Sequence, residues 1–196
     1  MSISPDSLLR AAFRTVQDPR AGARAVLNLR FSLQASLTAL LLMAVCSTLL
    51  SSVTFLLSPL RDDAQMAAVF GNPLKLAVLQ LVILILIALL IHGVGRRFGG
   101  KGNLSGAVVL TAWLEFVLIL IQLAQLITLF SVPVIAEALG FVGFVLFLWM
   151  LTQFIQELHG FSSAAKVFGG IIGTLLAISL ILAVILVVLG VGVNNV

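Results

Sequence analysis

Charge is what this sequence has least of. Only 9% of its 196 residues are Asp, Glu, Lys or Arg, against 61% that are hydrophobic, and the mean hydropathy is +1.25. A water-soluble chain with that balance would be covered in sticky apolar surface, which excludes an ordinary soluble domain. Cysteine is nearly absent: Cys46 stands alone inside an apolar run, so neither an intramolecular disulfide nor a multi-cysteine metal site can form. The two histidines show no ligand spacing with it, and no metal or other cofactor is expected. Carboxylates are scarce as well. Glu115 is the one acid deep in an apolar run and has no second carboxylate in that run, and no serine sits in a nucleophile motif. The parts for acid–base or nucleophilic catalysis are missing, so the chain is expected not to be an enzyme.

What the chain has in abundance is long apolar runs, at about 35–57, 74–94, 104–129, 137–156 and 167–193. A helix rising about 1.5 Å per residue needs roughly 20 apolar residues to cross a hydrocarbon core of about 30 Å. The expected fold is therefore all-α and polytopic: a leader over residues 1–34 and a five-helix transmembrane domain over 35–196. No cleavable signal is expected, because the first run begins behind Arg10, Arg14, Arg20, Arg24 and Arg30 and lacks a small-residue cleavage site.

The charges that exist alternate between the two ends of the runs. The leader carries those five arginines, and the segment after the second run carries Arg96, Arg97 and Lys101. The segment after the first run balances Arg61 and Lys75 with Asp62 and Asp63, that after the third has only Glu137, and that after the fourth has Glu157, His159 and Lys166. Basic residues favour the cytoplasmic side, so the N-terminus is expected inside and the C-terminal Val193-Asn194-Asn195-Val196, which lacks side-chain charge, outside. Nothing in the basic segments is interleaved with aromatics as a nucleic-acid surface would be. Anionic lipid headgroups are the expected partners of Arg10, Arg14, Arg20, Arg24, Arg96, Arg97 and Lys101.

Within the leader, Ser4-Pro5-Asp6 and Asp18-Pro19 each start a helix, with a capping side chain followed by proline at the first position. Leu9, Phe13 and Val16 share one face of the first, opposite Arg10 and Arg14. Two short amphipathic helices lying on the inner leaflet follow from this, the alternative being a basic leader that only sets topology. The segment Gly95–Asn103 reads either as a tight turn touching a lipid headgroup or as a specific anion cradle at the start of the third run. In the segment after the fourth run, Gly160 reads as a helix C-cap and Ser162 as the next N-cap, with His159 a polar loop residue rather than a ligand.

Taken together, the five runs, Asp18-Pro19-Arg20, Phe98-Gly99-Gly100-Lys101-Gly102 and Glu157-Leu158-His159-Gly160-Phe161-Ser162 resemble the Yip (Ypt-interacting protein) domain family in its short bacterial form. The resemblance implies five spans with a cytosolic N-terminus and, for bacterial relatives, an inner-membrane protein without assigned chemistry. Eukaryotic members are associated with Rab GTPases and vesicle traffic and tend to self-associate or pair with relatives. This chain lacks their longer cytosolic domain with its Asp-Leu-Tyr-Gly-Pro type motif and has no tyrosine.

Polar residues inside the runs are few and placed by depth. Glu115 lies about 16 Å from the inner face, near mid-bilayer, with Ser47 and Ser179 at similar depth. An ionised carboxylate there costs on the order of 2.5–3.5 kcal/mol. Glu115 is therefore expected to face the bundle interior as the neutral acid, donating a hydrogen bond, either as structural glue or as a proton or cation site. Gln80 and Gln122 sit at matched depth near the outer side, where antiparallel neighbours can pair amide to amide. Gly169-x-x-x-Gly173 marks either a dimer face or a close contact within the bundle. The expected function is a non-enzymatic membrane scaffold or adaptor whose basic face engages lipid, another membrane protein or a second copy. A small-solute or ion permease built around Glu115 is the alternative, with a membrane-embedded enzyme third.

Overall fold

The computed structural model describes residues 4–129 and 131–188, and these are helical without a strand among them. The leader forms α1 (Pro5–Gln17) and α2 (Pro19–Asn28). Ser4 caps α1 by accepting from the Ser7 N–H at 3.3 Å while Ser7 Oγ receives the Ser4 N–H at 3.1 Å, and Asp18 caps α2 through the Ala21 N–H at 3.0 Å. Each proline sits where the helix has no use for its missing donor.

The five apolar runs become α3 (Leu33–Leu57), α5 (Pro73–Arg97), α6 (Leu104–Leu129), α7 (Pro133–His159) and α8 (Ala164–Val188). All five are long and apolar enough to cross a membrane, so the protein is an integral membrane protein. The last stretch of the fifth run and the uncharged tail lie outside the described residues. The helices outrun the apolar stretches. Lys75, Glu137, Glu157, His159 and Lys166, read from sequence as loop residues, all lie inside helix ends, where long side chains reach from an apolar stem toward the interface. Between α3 and α5 the sequence reading has only a loop, whereas the chain forms a 3₁₀ turn (Pro59–Asp62) and α4 (Ala64–Phe70). Asp63 starts α4 by accepting from the Gln65 and Met66 N–H groups, both at 2.9 Å. Phe70 then stacks on Phe55 with ring centroids 5.7 Å apart.

α6 is the central post: Gly106 to Ala112 are all buried, as are Leu114, Glu115 and Val117. α3, α5 and α7 pack around it, and α8 packs on α7 alone among the pairs with substantial contact. α3 and α6 start at the same face and run parallel, so Ser36 meets Ser105 near that face (Oγ···Oγ 3.1 Å) and Ser51 meets Gln122 far from it (2.8 Å). The leader does not stand apart from this bundle. Ala12, Thr15, Ala23 and Val26 are buried, and α2 lies against α6 and α7. The Trp113 indole N–H donates to Thr15 Oγ1 at 3.1 Å, although Trp113 is about 13 Å along α6 from Leu104. Leu9 and Phe13 of α1 remain exposed.

Candidate functional site

Chemistry-bearing side chains gather in two places: the face that carries the leader, and the middle of the bundle. On the leader face the organising residue is His159, which is 2% exposed at the last turn of α7. The Gly102 N–H donates to its Nδ1 at 3.2 Å, so that nitrogen carries a lone pair and the proton must be on Nε2, which lies 3.0 Å from the Ile91 carbonyl oxygen. The Lys101 N–H donates to the His159 carbonyl at 3.2 Å. One residue thus ties α5, the loop at 98–103 and α7 together.

That tie works only because three neighbours lack a side chain. A Cβ on Gly95 would stand 2.2 Å from His159 Nε2, one on Gly100 2.2 Å from Nδ1, and one on Gly102 2.9 Å from Cε1. Gly95, Gly100 and Gly102 are there for close approach to an imidazole, whereas a Cβ on Gly99 would meet nothing within 4 Å and that residue takes a φ of 83° in the turn. Reading His159 as a polar loop residue is corrected: it is a buried helical residue, placed there by Gly160, whose φ of 71° ends α7 in the left-handed conformation. The next helix is capped by Ser163, not Ser162. Ser163 Oγ accepts the Lys166 N–H at 3.3 Å, and its carbonyl accepts Val167 N–H at 3.2 Å. His159 also stacks on Phe161, centroids 5.5 Å apart.

Two residues before His159, Glu157 points at the leader. Its carboxylate receives Arg24 Nε at 2.8 Å and Arg20 Nε at 3.3 Å. Bonding to Glu157 holds the Arg24 guanidinium above its ordinary range. Of the seven cations read as lipid or partner contacts, Arg20 and Arg24 are thus joined to Glu157, and Arg10 pairs with Asp6 one turn away on α1. Arg14, Arg96, Arg97 and Lys101 are exposed and, among the described residues, have no acidic side chain within salt-bridge distance. Arg96, Arg97 and Lys101 lie at the turn between α5 and α6, and Arg14 lies on α1 of the docked leader.

At mid-bundle, Glu115 is 8% exposed and faces inward as expected. Gln80 Nε2 donates to its Oε1 at 2.9 Å, and the Ser47 hydroxyl is its other partner. Thus α3, α5 and α6 share one polar junction. The expected pairing of Gln80 with Gln122 does not occur. Gln122 lies two turns, about 10 Å, beyond Glu115 and is turned toward α3, where it reaches Ser51. Thr48 Oγ1 and Ser52 Oγ, on the same helix, are buried without a hydrogen-bond partner among the described residues. On α8, a Cβ at Gly169 or Gly173 would meet nothing within 4 Å, so these glycines make no close contact inside the bundle.

A Yip1 domain model matches residues 13–189, which covers both polar sites and all five spans. The chain belongs to the Yip1 domain family. No curated protein and no solved structure matches it. The match begins within α1, at residue 13, and includes α2.

Proposed function

We propose that this Yip1-family protein is a non-enzymatic adaptor of a bacterial inner membrane, which presents a rigid basic platform on its cytoplasmic face to anionic lipid and to a membrane-protein partner or second copy. The observation that carries the reading is the docking of the leader by the Arg20–Glu157–Arg24 bridge, backed by burial of Thr15 and Ala23. A leader that only set topology would have no need of a fixed place on α6 and α7. Once docked, it leaves Arg14, Arg96, Arg97 and Lys101 exposed together, and a cluster of such cations attracts an anionic leaflet at about 1 kcal/mol each. The test is crosslinking in native membranes followed by pull-down of the parent and of a variant with those four residues changed to glutamine. The parent should capture a defined partner and the variant lose it. A chain that is always solitary, with a platform that can be neutralised without effect, would sink the proposal.

A permease is the second reading, favoured by one observation: among the described residues, Thr48 Oγ1 and Ser52 Oγ are buried without partners in the bundle that holds Glu115. Unpaired hydroxyls in a bundle interior suit a passing proton or cation. Flux assays in liposomes separate the two, since an adaptor moves nothing and a permease that uses the carboxyl loses transport on Glu115→Gln.

A further inference from the structure

α8 leans on α7 and leaves a groove between itself and α5. The groove has a volume of about 350 Å³, with walls from Ile87 to Phe98 of α5, from Phe147 to Ile155 of α7, and from Lys166 to Ile178 of α8. Its walls are mostly apolar: Ser162, Ser163 and Lys166 form the mouth on the leader face, and the one polar side chain further along is Thr174, whose hydroxyl is already given to the Gly170 carbonyl at 2.7 Å. Lys166 is exposed and has no acidic side chain within salt-bridge distance among the described residues.

The dimensions choose the occupant. From Lys166 to Ile178 is twelve residues of helix, about 18 Å, close to the roughly 15 Å depth of one leaflet's hydrocarbon. A transmembrane helix spans both leaflets, so it does not match the length. A methylene takes up about the space of a water molecule, roughly 30 Å³, so this volume holds about a dozen of them. An apolar channel one leaflet deep with a cation at its interfacial end matches an acyl chain joined to a negative headgroup. Gly170 keeps the channel open, because a Cβ there would meet nothing within 4 Å.

We propose that this groove holds one acyl chain of an anionic glycerophospholipid, with the lipid phosphate at Lys166 and the hydroxyls of Ser162 and Ser163. The site takes from the adaptor reading only the sign of the headgroup; it needs neither the leader nor a protein partner. The full chain, delipidated in mild detergent, is incubated with phosphatidylglycerol or phosphatidylethanolamine, and retained lipid is counted by native mass spectrometry. The parent should keep one phosphatidylglycerol per chain, about fivefold in preference to phosphatidylethanolamine, the effect of one lysine at an anionic surface. Gly170→Phe fills the channel and should abolish retention of both lipids with the thermal midpoint unchanged. Lys166→Gln should keep occupancy but lose the preference, and Lys166→Arg should restore it. Changing Arg14, Arg96, Arg97 and Lys101 to glutamine should leave the bound lipid in place, which separates failure of the platform from failure of the groove. Three results overturn the proposal: a parent that retains no lipid, a Gly170→Phe variant that retains the parental lipid and so carries annular lipid only, or a lipid-free dimer that Gly170→Phe dissolves. Should Gly170→Phe not fold, Gly170→Leu and the Lys166 pair decide by the same readouts.

Discussion

Gly93 and Gly95 lie two residues apart in α5, and the same substitution should act on them with opposite sign. Alanine is better than glycine in a helix by about 0.8–1 kcal/mol, and at Gly93 a Cβ would meet nothing within 4 Å, so Gly93→Ala should stabilise by up to about that amount. At Gly95 the Cβ would stand 2.2 Å from His159 Nε2 and 2.5 Å from Cε1. The ring cannot step aside: its two nitrogens are held by the Ile91 carbonyl and the Gly102 N–H, and Gly100 and Gly102 press on its other edge. Overpacking of this kind costs about 1–3 kcal/mol, and displacing the ring forfeits a buried hydrogen bond of about 1 kcal/mol. Net of the helix gain, Gly95→Ala should destabilise by about 1–3 kcal/mol.

Thermal unfolding of the detergent-solubilised chain, followed by the fluorescence of Trp113 and Trp149, measures both variants. At about 2–4 °C per kcal/mol for a chain of this size, Gly95→Ala should melt roughly 2–12 °C lower and Gly93→Ala a few degrees higher. His159→Ala supplies the cross-check. Alone it should cost about 3–5 kcal/mol, as loss of a buried ring does, but on that background Gly95→Ala should turn neutral or favourable, a coupling of about 2 kcal/mol. Equal responses of the two glycines, or additivity with His159→Ala, would refute the picture of an imidazole boxed by glycines.

Glu157→Gln should release the leader, seen as faster tryptic cleavage after Arg20 and Arg24, and salt should speed cleavage of the parent in the same direction. Arg24 has its folded-state value raised by Glu157, so while Glu157 is ionised its share of this docking holds up to the guanidinium range and is lost only in strong alkali. Protection of the leader should accordingly stay flat from neutral to moderately alkaline pH, and a loss there would point to another group. Glu115→Leu strands the Gln80 amide and should cost about 1 kcal/mol, whereas Glu115→Gln can still accept its hydrogen bond; equal stabilities would argue against the junction. In intact cells a cysteine introduced near Asp63 should label from outside and one near Gly100 should not, and the reverse pattern would invert the orientation.

Depth along the membrane normal was readable from the chain, and angle around each helix axis was not. The five spans follow from run length, the leader helices from Ser4-Pro5 and Asp18-Pro19, and the meeting of Glu115 with Ser47 from equal distances to the inner face. The same distance count misled for Gln80 and Gln122, because it says nothing of which neighbour a helix face turns to. A soluble helix states its inward face by an apolar stripe, but in lipid the outward face is apolar too, so the stripe vanishes and only rare polar or small residues mark direction. On α6 the marks are Thr111, Glu115 and Gln122, one row on the helix; Glu115 takes its partners from α3 and α5, and Gln122 takes Ser51 of α3. His159 was missed for a related reason: nothing local in Glu157-Leu158-His159-Gly160 indicates burial, and the glycines that enclose it lie about 60 residues earlier. A buried imidazole in a lipid-facing bundle becomes legible when a glycine cluster and a lone histidine at a helix end are read as two halves of one contact.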